Sequence, residues 1–221
     1  MFCNTNANAQ ADLLPKRLEF IQTTLQTEAQ RAKTWTYAWH GTLGALTVGQ
    51  AAAYPFVSDG DRIDLYYGVG SDLIGHIFLL AMPLKSMNDS RELNALIQKN
   101  QGLEPTPELL QQAEHLLENS AADEKTARDW RIHVGNVLFN VGLGVTLGLA
   151  HDRWLSGGIF IGSGIVVGEI MILSQPNRLQ DQLKRYREGD LTSPLEKTSR
   201  NWDLMPMLTA ESAGANLRIR F

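Results

Sequence analysis

Hydrophobic and polar residues are strongly segregated along this chain. Four stretches contain almost no charged side chains: Trp39–Val57, Ile63–Met82, Ile132–Ala150 and Trp154–Ser174. The charged residues inside them are Asp64, Asp72 and Glu169. Each stretch is close to the ~20 residues that a helix needs to cross a bilayer, and each is too long for an ordinary strand. The pattern therefore predicts four transmembrane helices, with a water-soluble bundle that has a glycine-rich core as the alternative.

Glycine is concentrated in the same stretches, which hold most of the 19 glycines of the chain. Glycine weakens a helix in water, but in lipid the backbone must satisfy its own hydrogen bonds and small residues let helices approach closely. The spacing in the last two stretches predicts close helix packing at six of them. These are Gly144, Gly148, Gly158, Gly162, Gly164 and Gly168.

An internal repeat runs through the chain. Ala32–Trp35 resembles Ala127–Trp130, and each is followed by a His and then a Gly. Later matches include Asp61-Arg62 with Asp152-Arg153, and Pro83 with Pro176. The order of these matches predicts a duplicated unit: an amphipathic helix, an apolar helix, an Asp-Arg turn, a second apolar helix and a second amphipathic helix.

The repeat predicts an all-α fold, in which two helical hairpins supply four glycine-rich transmembrane helices and carry amphipathic helical extensions. The predicted divisions are a flexible N-terminal segment 1–15, a first repeat 16–102, a second repeat 103–190 and a C-terminal tail 191–221. Within the second repeat, Thr106 and Pro107 predict a helix start, with Thr at the N-cap and Pro at the first helical position. In the tail, apolar residues alternate from Ala213 to Phe221, which is typical of an edge strand or a docking tail.

Two signals bear on location, and they conflict. Residues Ala7-Asn8-Ala9 match a signal-peptide cleavage pattern, which would place cleavage near Ala9, although a chance match explains it equally well. Most Lys and Arg residues lie on the side of the termini and the middle linker, which the positive-inside rule assigns to the cytoplasm. The expected location is a bacterial-type cell envelope, with the inner and outer membranes both left open.

Overall composition narrows the expected partners. The chain is 43% hydrophobic, carries a net charge of −4 and has one cysteine, Cys3. The lack of a basic surplus argues against nucleic-acid binding, and a single cysteine excludes a disulfide framework and a multi-cysteine metal site. We expect membrane lipid as a partner, a second copy of the chain or other envelope proteins as further ones, and no cofactor.

Polar residues inside the apolar stretches are the candidate functional residues, because ionised groups are costly at the bilayer centre. They form a predicted intramembrane cluster of Gln50, Asp72, His76, Asn136, Asn140 and Glu169. Such a cluster can fix helix packing, or Asp72, His76 and Glu169 can exchange protons. A third hypothesis is a metal site with His40, His76, His133 and Glu169 as ligands.

The sequence contains no motif that defines a reaction, so an enzyme is the least favoured class. The favoured function is structural or scaffolding, with self-assembly through glycine-rich helix faces. The alternative is a small ion or proton channel, or a transporter-like module, that uses Asp72, His76 and Glu169.

Overall fold

The computed structural model describes residues 5–100, 104–192, 202–209 and 212–219. Its helices are α1 (Thr5–Ala53), a short 3₁₀ helix (Tyr54–Phe56), α2 (Arg62–Ala81), α3 (Lys85–Lys99), α4 (Pro107–Thr126), α5 (Trp130–His151), α6 (Trp154–Ser174) and α7 (Leu179–Arg187). Strands β1 (Trp202–Thr209) and β2 (Ser212–Ile219) form an antiparallel pair, with Trp202 opposite Ile219. The described chain is thus helical apart from one hairpin in the predicted tail. Helix α1 begins inside the predicted N-terminal segment 1–15.

The described residues divide into two compact units. The polar unit contains α1 through Thr34, α3, α4 and α7, and the apolar unit contains α1 from Trp35, α2, α5, α6 and the strand pair. The polar unit has an ordinary hydrophobic core centred on Ile21, Leu25, Leu93 and Leu117. These side chains come from amphipathic helices, as their apolar stripes predict.

In the apolar unit, by contrast with the polar unit, few hydrophobic side chains are buried and many are exposed. Its buried cluster is small, with Trp39, Leu43 and Leu79 packed against Trp35 and Met171. Among the described residues, every exposed large hydrophobic side chain except that of Leu13 lies in this unit. Exposed apolar surface on this scale is unfavourable in water and is what a lipid environment accepts.

Among the described residues, three helical regions are long and apolar enough to cross a membrane. They lie within Arg62–Lys99, Trp130–His151 and Trp154–Arg187. They contain the second, third and fourth predicted stretches. The first stretch, Trp39–Val57, is helical as far as Ala53, but it is not among these spans. Its His, Gln, Thr and Gly residues make it less apolar than the other three.

Two helix boundaries follow directly from local chemistry. The N-cap predicted at Thr106 is confirmed, since its Oγ1 accepts a hydrogen bond from the backbone N–H of Leu109 at 3.2 Å and α4 begins at Pro107. Between α5 and α6, Asp152 adopts a left-handed conformation with φ 54°, a backbone state that Asp tolerates better than most residues. The chain therefore reverses at the predicted Asp-Arg turn.

Candidate functional site

The polar residues of α1 and α2 form a seam along the first apolar hairpin. His40 and His76 face each other, with 2.8 Å between their Nδ1 atoms, 5.1 Å between ring centres and an angle of 8° between ring planes. Since 5.1 Å is close to the nitrogen separation plus the two ring radii, the imidazoles meet end to end. The two Nδ1 atoms are within hydrogen-bond distance, and the ring tautomers set which of them donates.

Asp72 continues this seam one turn away along α2. Its Oδ2 accepts hydrogen bonds from Gln50 Nε2 at 3.0 Å and from Thr47 Oγ1 at 3.4 Å. Asp72 is 8% exposed, so these donors replace the water that an exposed carboxylate would have. The spacing of Asp72 and His76 favours a direct hydrogen bond between them, but each finds its partner on α1 instead.

The helices α5 and α6 form the second seam. His133 Nδ1 lies 2.6 Å from Glu169 Oε2, and Asn136 Nδ2 donates to Glu169 Oε1 at 3.0 Å. Asn136 also donates to the carbonyl oxygen of Ile165 at 3.1 Å. Asn140 donates to the backbone and side-chain oxygens of Asn136 at 2.8 and 2.9 Å. His133 and Asn136 thus tie α5 to α6, whereas Asn140 bonds within α5.

The two seams have one feature in common. His40 and His76 are 36 residues apart in the chain, and so are His133 and Glu169. Each apolar hairpin therefore has a histidine on its first helix that bonds an ionisable side chain on its second. The structure distributes the six predicted cluster residues over both seams: Gln50, Asp72 and His76 in one, and Asn136, Asn140 and Glu169 in the other.

Glycines bring α5 and α6 together, although not all of the predicted ones do so. A Cβ added to Gly144 would meet the carbonyl oxygen of Gly157, and a Cβ added to Gly148 would meet the ring of Trp154. Gly164 and Gly168 lie against Asn140 and Asn136 in the same way. These four glycines leave no room for a side chain, so the close approach of α5 to α6 depends on them.

The predicted packing residues Gly158 and Gly162 lie elsewhere. Cβ atoms added to them would have no described atom within 4 Å. The glycine that does lie at the α5–α6 contact is Gly157, directly before Gly158, and it meets the backbone of Gly144. The spacing pattern alone did not identify Gly157, because adjacent helix positions point about 100° apart and the sequence does not show which of them faces the neighbour.

A charged cluster lies at the turns between the apolar helices, and the sequence patterns do not predict it. Arg153, in the α5–α6 turn, binds Asp64 through two hydrogen bonds and donates to Asp61 Oδ1 at 2.6 Å and to the carbonyl oxygen of Gly60 at 2.9 Å. A hydrogen bond from Ser58 and the Arg153 guanidinium lower the pKa of Asp61 below its usual value. The repeated Asp-Arg pair was the signal that could have identified this cluster.

The hypothesis of one metal site with three histidines is not supported by this arrangement. His40 and His76 bond each other, whereas His133 bonds Glu169. Across the described residues, no group of three or more His, Cys, Asp or Glu side chains is positioned to hold a metal ion.

The protein was compared with known families, curated proteins and solved structures. No protein-family model, curated protein or solved structure matches the chain. Its function must therefore be inferred from its own residues.

Proposed function

We propose that this chain is an integral membrane protein of a bacterial-type cell envelope, with a structural role and self-assembly through open glycine faces. The exposed hydrophobic side chains of the apolar unit support the membrane location, and so do the three described helical regions that are long and apolar enough to span a bilayer. Its expected surroundings are membrane lipid and either a second copy of the chain or other envelope proteins.

The structural role is supported by the hydrogen bonds that the polar side chains form between neighbouring helices. His133, Asn136 and Glu169 bond across the α5–α6 seam, and Asp72 bonds Thr47 and Gln50 across the other. Side chains that bond neighbouring helices hold those helices in one packing arrangement and register. We infer that the seams stabilise the hairpins.

We further propose that the chain is duplicated and that α1 supplies a fourth membrane helix. The equal separation of the two histidine pairs supports this. The buried positions of α3 and α7 support it too, because they have the same spacing. These positions are Ser86, Asp89, Ser90 and Leu93 in α3, and Leu179, Gln182, Leu183 and Tyr186 in α7.

Gly158 and Gly162 provide a direct test of self-assembly. They lie on one face of α6, and no described atom would contact a side chain there. We expect the double substitution Gly158→Leu and Gly162→Leu to abolish cross-linked oligomers in membranes without changing helix content. Gly142→Leu, at an open position of α5, is the matched control and should leave oligomers intact.

Two results would contradict this proposal. Release of the protein by high salt or alkaline carbonate without detergent would exclude integral membrane insertion. Unchanged oligomers in the double glycine variant, or a monomeric wild-type protein in native membranes, would exclude assembly through this face of α6.

The second candidate function is a small proton or ion channel. The observation that favours it is the end-to-end pair His40–His76, since histidine is the side chain that exchanges protons near neutral pH. The triple variant Asp72→Asn, His76→Gln and Glu169→Gln separates the two functions. Loss of ion or proton flux in liposomes with assembly retained would establish conduction, whereas no flux from the wild-type protein would exclude it.

A further inference from the structure

The two histidine-containing pairs of the apolar unit differ in how they respond to acid. His40 and His76 pair through their Nδ1 atoms at 2.8 Å, whereas His133 Nδ1 pairs with Glu169 Oε2 at 2.6 Å. A histidine nitrogen accepts a hydrogen bond only while it is unprotonated, but a carboxylate accepts wherever it is ionised. The two pairs therefore place different acceptors at matching positions of two similar hairpins.

The His40–His76 pair can hold one extra proton but not two. In the neutral pair, one Nδ1 carries a hydrogen and the other accepts it. One further proton makes the donor ring an imidazolium and leaves the acceptor nitrogen free, so the hydrogen bond survives. A second proton puts N–H groups on both Nδ1 atoms and a positive charge on both rings. With 5.1 Å between ring centres, the like charges then repel each other and neither nitrogen can accept.

The His133–Glu169 pair responds in the opposite direction. A neutral His133 with a hydrogen on Nδ1 donates to Glu169, and protonation of the ring turns this hydrogen bond into an ion pair. Such a pair loses its charge only when the carboxylate takes up a proton, and the ordinary glutamate pKa of about 4.3 lies well below the histidine value of about 6.5. In the pH range between these values, acid should strengthen the bond between α5 and α6.

Asp72 is the charged residue closest to the first pair along α2. It lies one turn before His76 and interacts with it electrostatically, which favours the first extra proton on His76. Helix α5 approaches α2 through His151, whose ring packs against that of Tyr67, more than two turns from His76. Arg153 binds the beginning of α2, which is more distant still. These groups leave the second proton of the pair without a neutralising partner of its own.

Helix α6 contacts α1 beside the pair through uncharged side chains. Met171 packs against the small cluster of α1 and α2, and Ser174 Oγ accepts a hydrogen bond from Trp39 Nε1 at 3.2 Å. Arg128 lies at the end of α6, where its guanidinium donates to backbone carbonyl oxygens, including that of Leu173 at 3.1 Å. A second positive charge on the pair therefore meets no carboxylate from α6 among these contacts.

The position of the pair determines which part of the hairpin depends on it. Both rings are partly exposed, and His76 lies little more than one turn before the end of α2 at Ala81. The hydrogen bonds of Asp72 to Thr47 and Gln50 lie between the pair and the turn of the hairpin. Loss of the pair should therefore separate the helices at the end far from the turn.

We propose that His40 and His76 form an acid-sensitive clasp, which releases the end of α2 from α1 when both rings are protonated. At the same pH, the bond between His133 and Glu169 keeps α5 and α6 together. Acid thus loosens one apolar hairpin and leaves the other closed. Paired histidines change interfaces at about pH 5–6, so the transition falls in that range. This device requires neither ion conduction nor self-assembly.

Distances between spin labels measure the opening of each hairpin. In a Cys3→Ser background, Gly41→Cys with Leu80→Cys reports on α1 and α2, and Val134→Cys with Leu173→Cys reports on α5 and α6. All four labelled positions are exposed. In the detergent-solubilised full chain, lowering the pH from about 7.5 to about 5 should replace the closed α1–α2 distance by a longer one, reversibly. The α5–α6 distance should not change.

Exchange of the partner residues provides matched variants. His76→Glu gives the first hairpin a histidine–carboxylate pair, so its label distance should stay closed at about pH 5. Glu169→His gives the second hairpin two histidines, so its label distance should now lengthen in acid. The two variants change the response of the hairpins in opposite directions, which a general loss of stability would not do.

Three results would overturn the proposal. The first is an α1–α2 distance that does not change in acid. The second is an equal change in both hairpins of the unmodified pairs, which would indicate general loosening by acid. The third is a response that persists in His76→Glu, which would assign the proton to another group, such as Asp72.

Discussion

The guanidinium of Arg153 binds both carboxylate oxygens of Asp64, with 2.8 Å from Nε to Oδ1 and 2.7 Å from Nη2 to Oδ2. Ser156 Oγ donates to the same carboxylate at 2.8 Å. The two acidic partners, Asp64 and Asp61, raise the pKa of Arg153 above its usual value. A residue of the second Asp-Arg turn thus joins α2 and its preceding turn to the α5–α6 hairpin within the apolar unit.

Replacing Arg153 by Lys should weaken this connection. Lysine retains the charge but cannot form two parallel hydrogen bonds to one carboxylate. We expect Tm to fall by about 2–4 °C in a detergent-solubilised sample. Arg62→Lys is the control, because the Asp59 partner of Arg62 is 89% exposed and their ion pair contributes less. Equal losses in the two variants would show that the bidentate geometry contributes nothing.

The two neighbouring glycines Gly157 and Gly158 should respond very differently to alanine. A Cβ at Gly157 would meet the backbone of Gly144, which cannot move aside as a flexible side chain could. We expect Gly157→Ala to lower the free energy of unfolding by about 1–3 kcal/mol, as overpacking does elsewhere. Gly158→Ala, with no described atom nearby, should change it by no more than about 0.5 kcal/mol. Resistance to unfolding in SDS measures both, and similar values would refute the close α5–α6 contact.

Glu169 should tolerate replacement by histidine, which is the residue type at the matching place in the other seam. Glu169→His can form an imidazole pair with His133 that resembles the observed pair of His40 and His76. We expect it to unfold within about 0.5 kcal/mol of the wild type, whereas Glu169→Ala should lose about 0.6–1.7 kcal/mol, the range of hydrogen bonds between membrane helices. Unfolding in SDS provides the measurement. If Glu169→His is as damaging as Glu169→Ala, the two seams are not interchangeable.

Glu28 should make the stability of the protein depend on pH in a defined direction. Burial raises its pKa in the folded protein, so the folded state holds this proton more tightly than the unfolded state does. The contribution of Glu28 to the free energy of unfolding is fully present below the ordinary glutamate pKa of about 4.3. It is lost as the pH rises through the raised pKa of the folded protein. Denaturant titrations should therefore show a decrease in stability across that window. Glu28→Gln should flatten this part of the profile, and an unchanged slope in the variant would exclude Glu28 as its source.

Helix positions were largely predictable from local patterns. The predicted stretch Trp154–Ser174 coincides with α6, and α4 begins after the predicted cap Thr106. Capping and hydrophobic periodicity act within a few residues, so the sequence alone contains them. The predicted stretch that begins at Trp39 is not among the candidate spans, because His40, Gln50 and several glycines dilute its apolar character.

Side-chain partners were not predictable in the same way. The sequence presented Asp72 and His76 as neighbours on one helix face, and the structure bonds both of them to α1. Whether a side chain bonds a residue of its own helix or of the neighbouring helix depends on the distance and rotation between the two helices. A difference of one helical position changes both, so no local rule could select the partners.

Local sequence accounts for the near absence of charge from four stretches, for the helices that these stretches form, and for the polar residues that they contain. Those properties follow from the transfer of side chains and backbone out of water, which depends on composition and local spacing. The packing of distant helices is needed to explain why Gly157 rather than Gly158 meets Gly144, why Arg153 binds Asp64, and why one oxygen of Glu28 lacks a donor. These relationships depend on how helices distant in the chain are rotated against one another, and that rotation is set by packing of the whole unit.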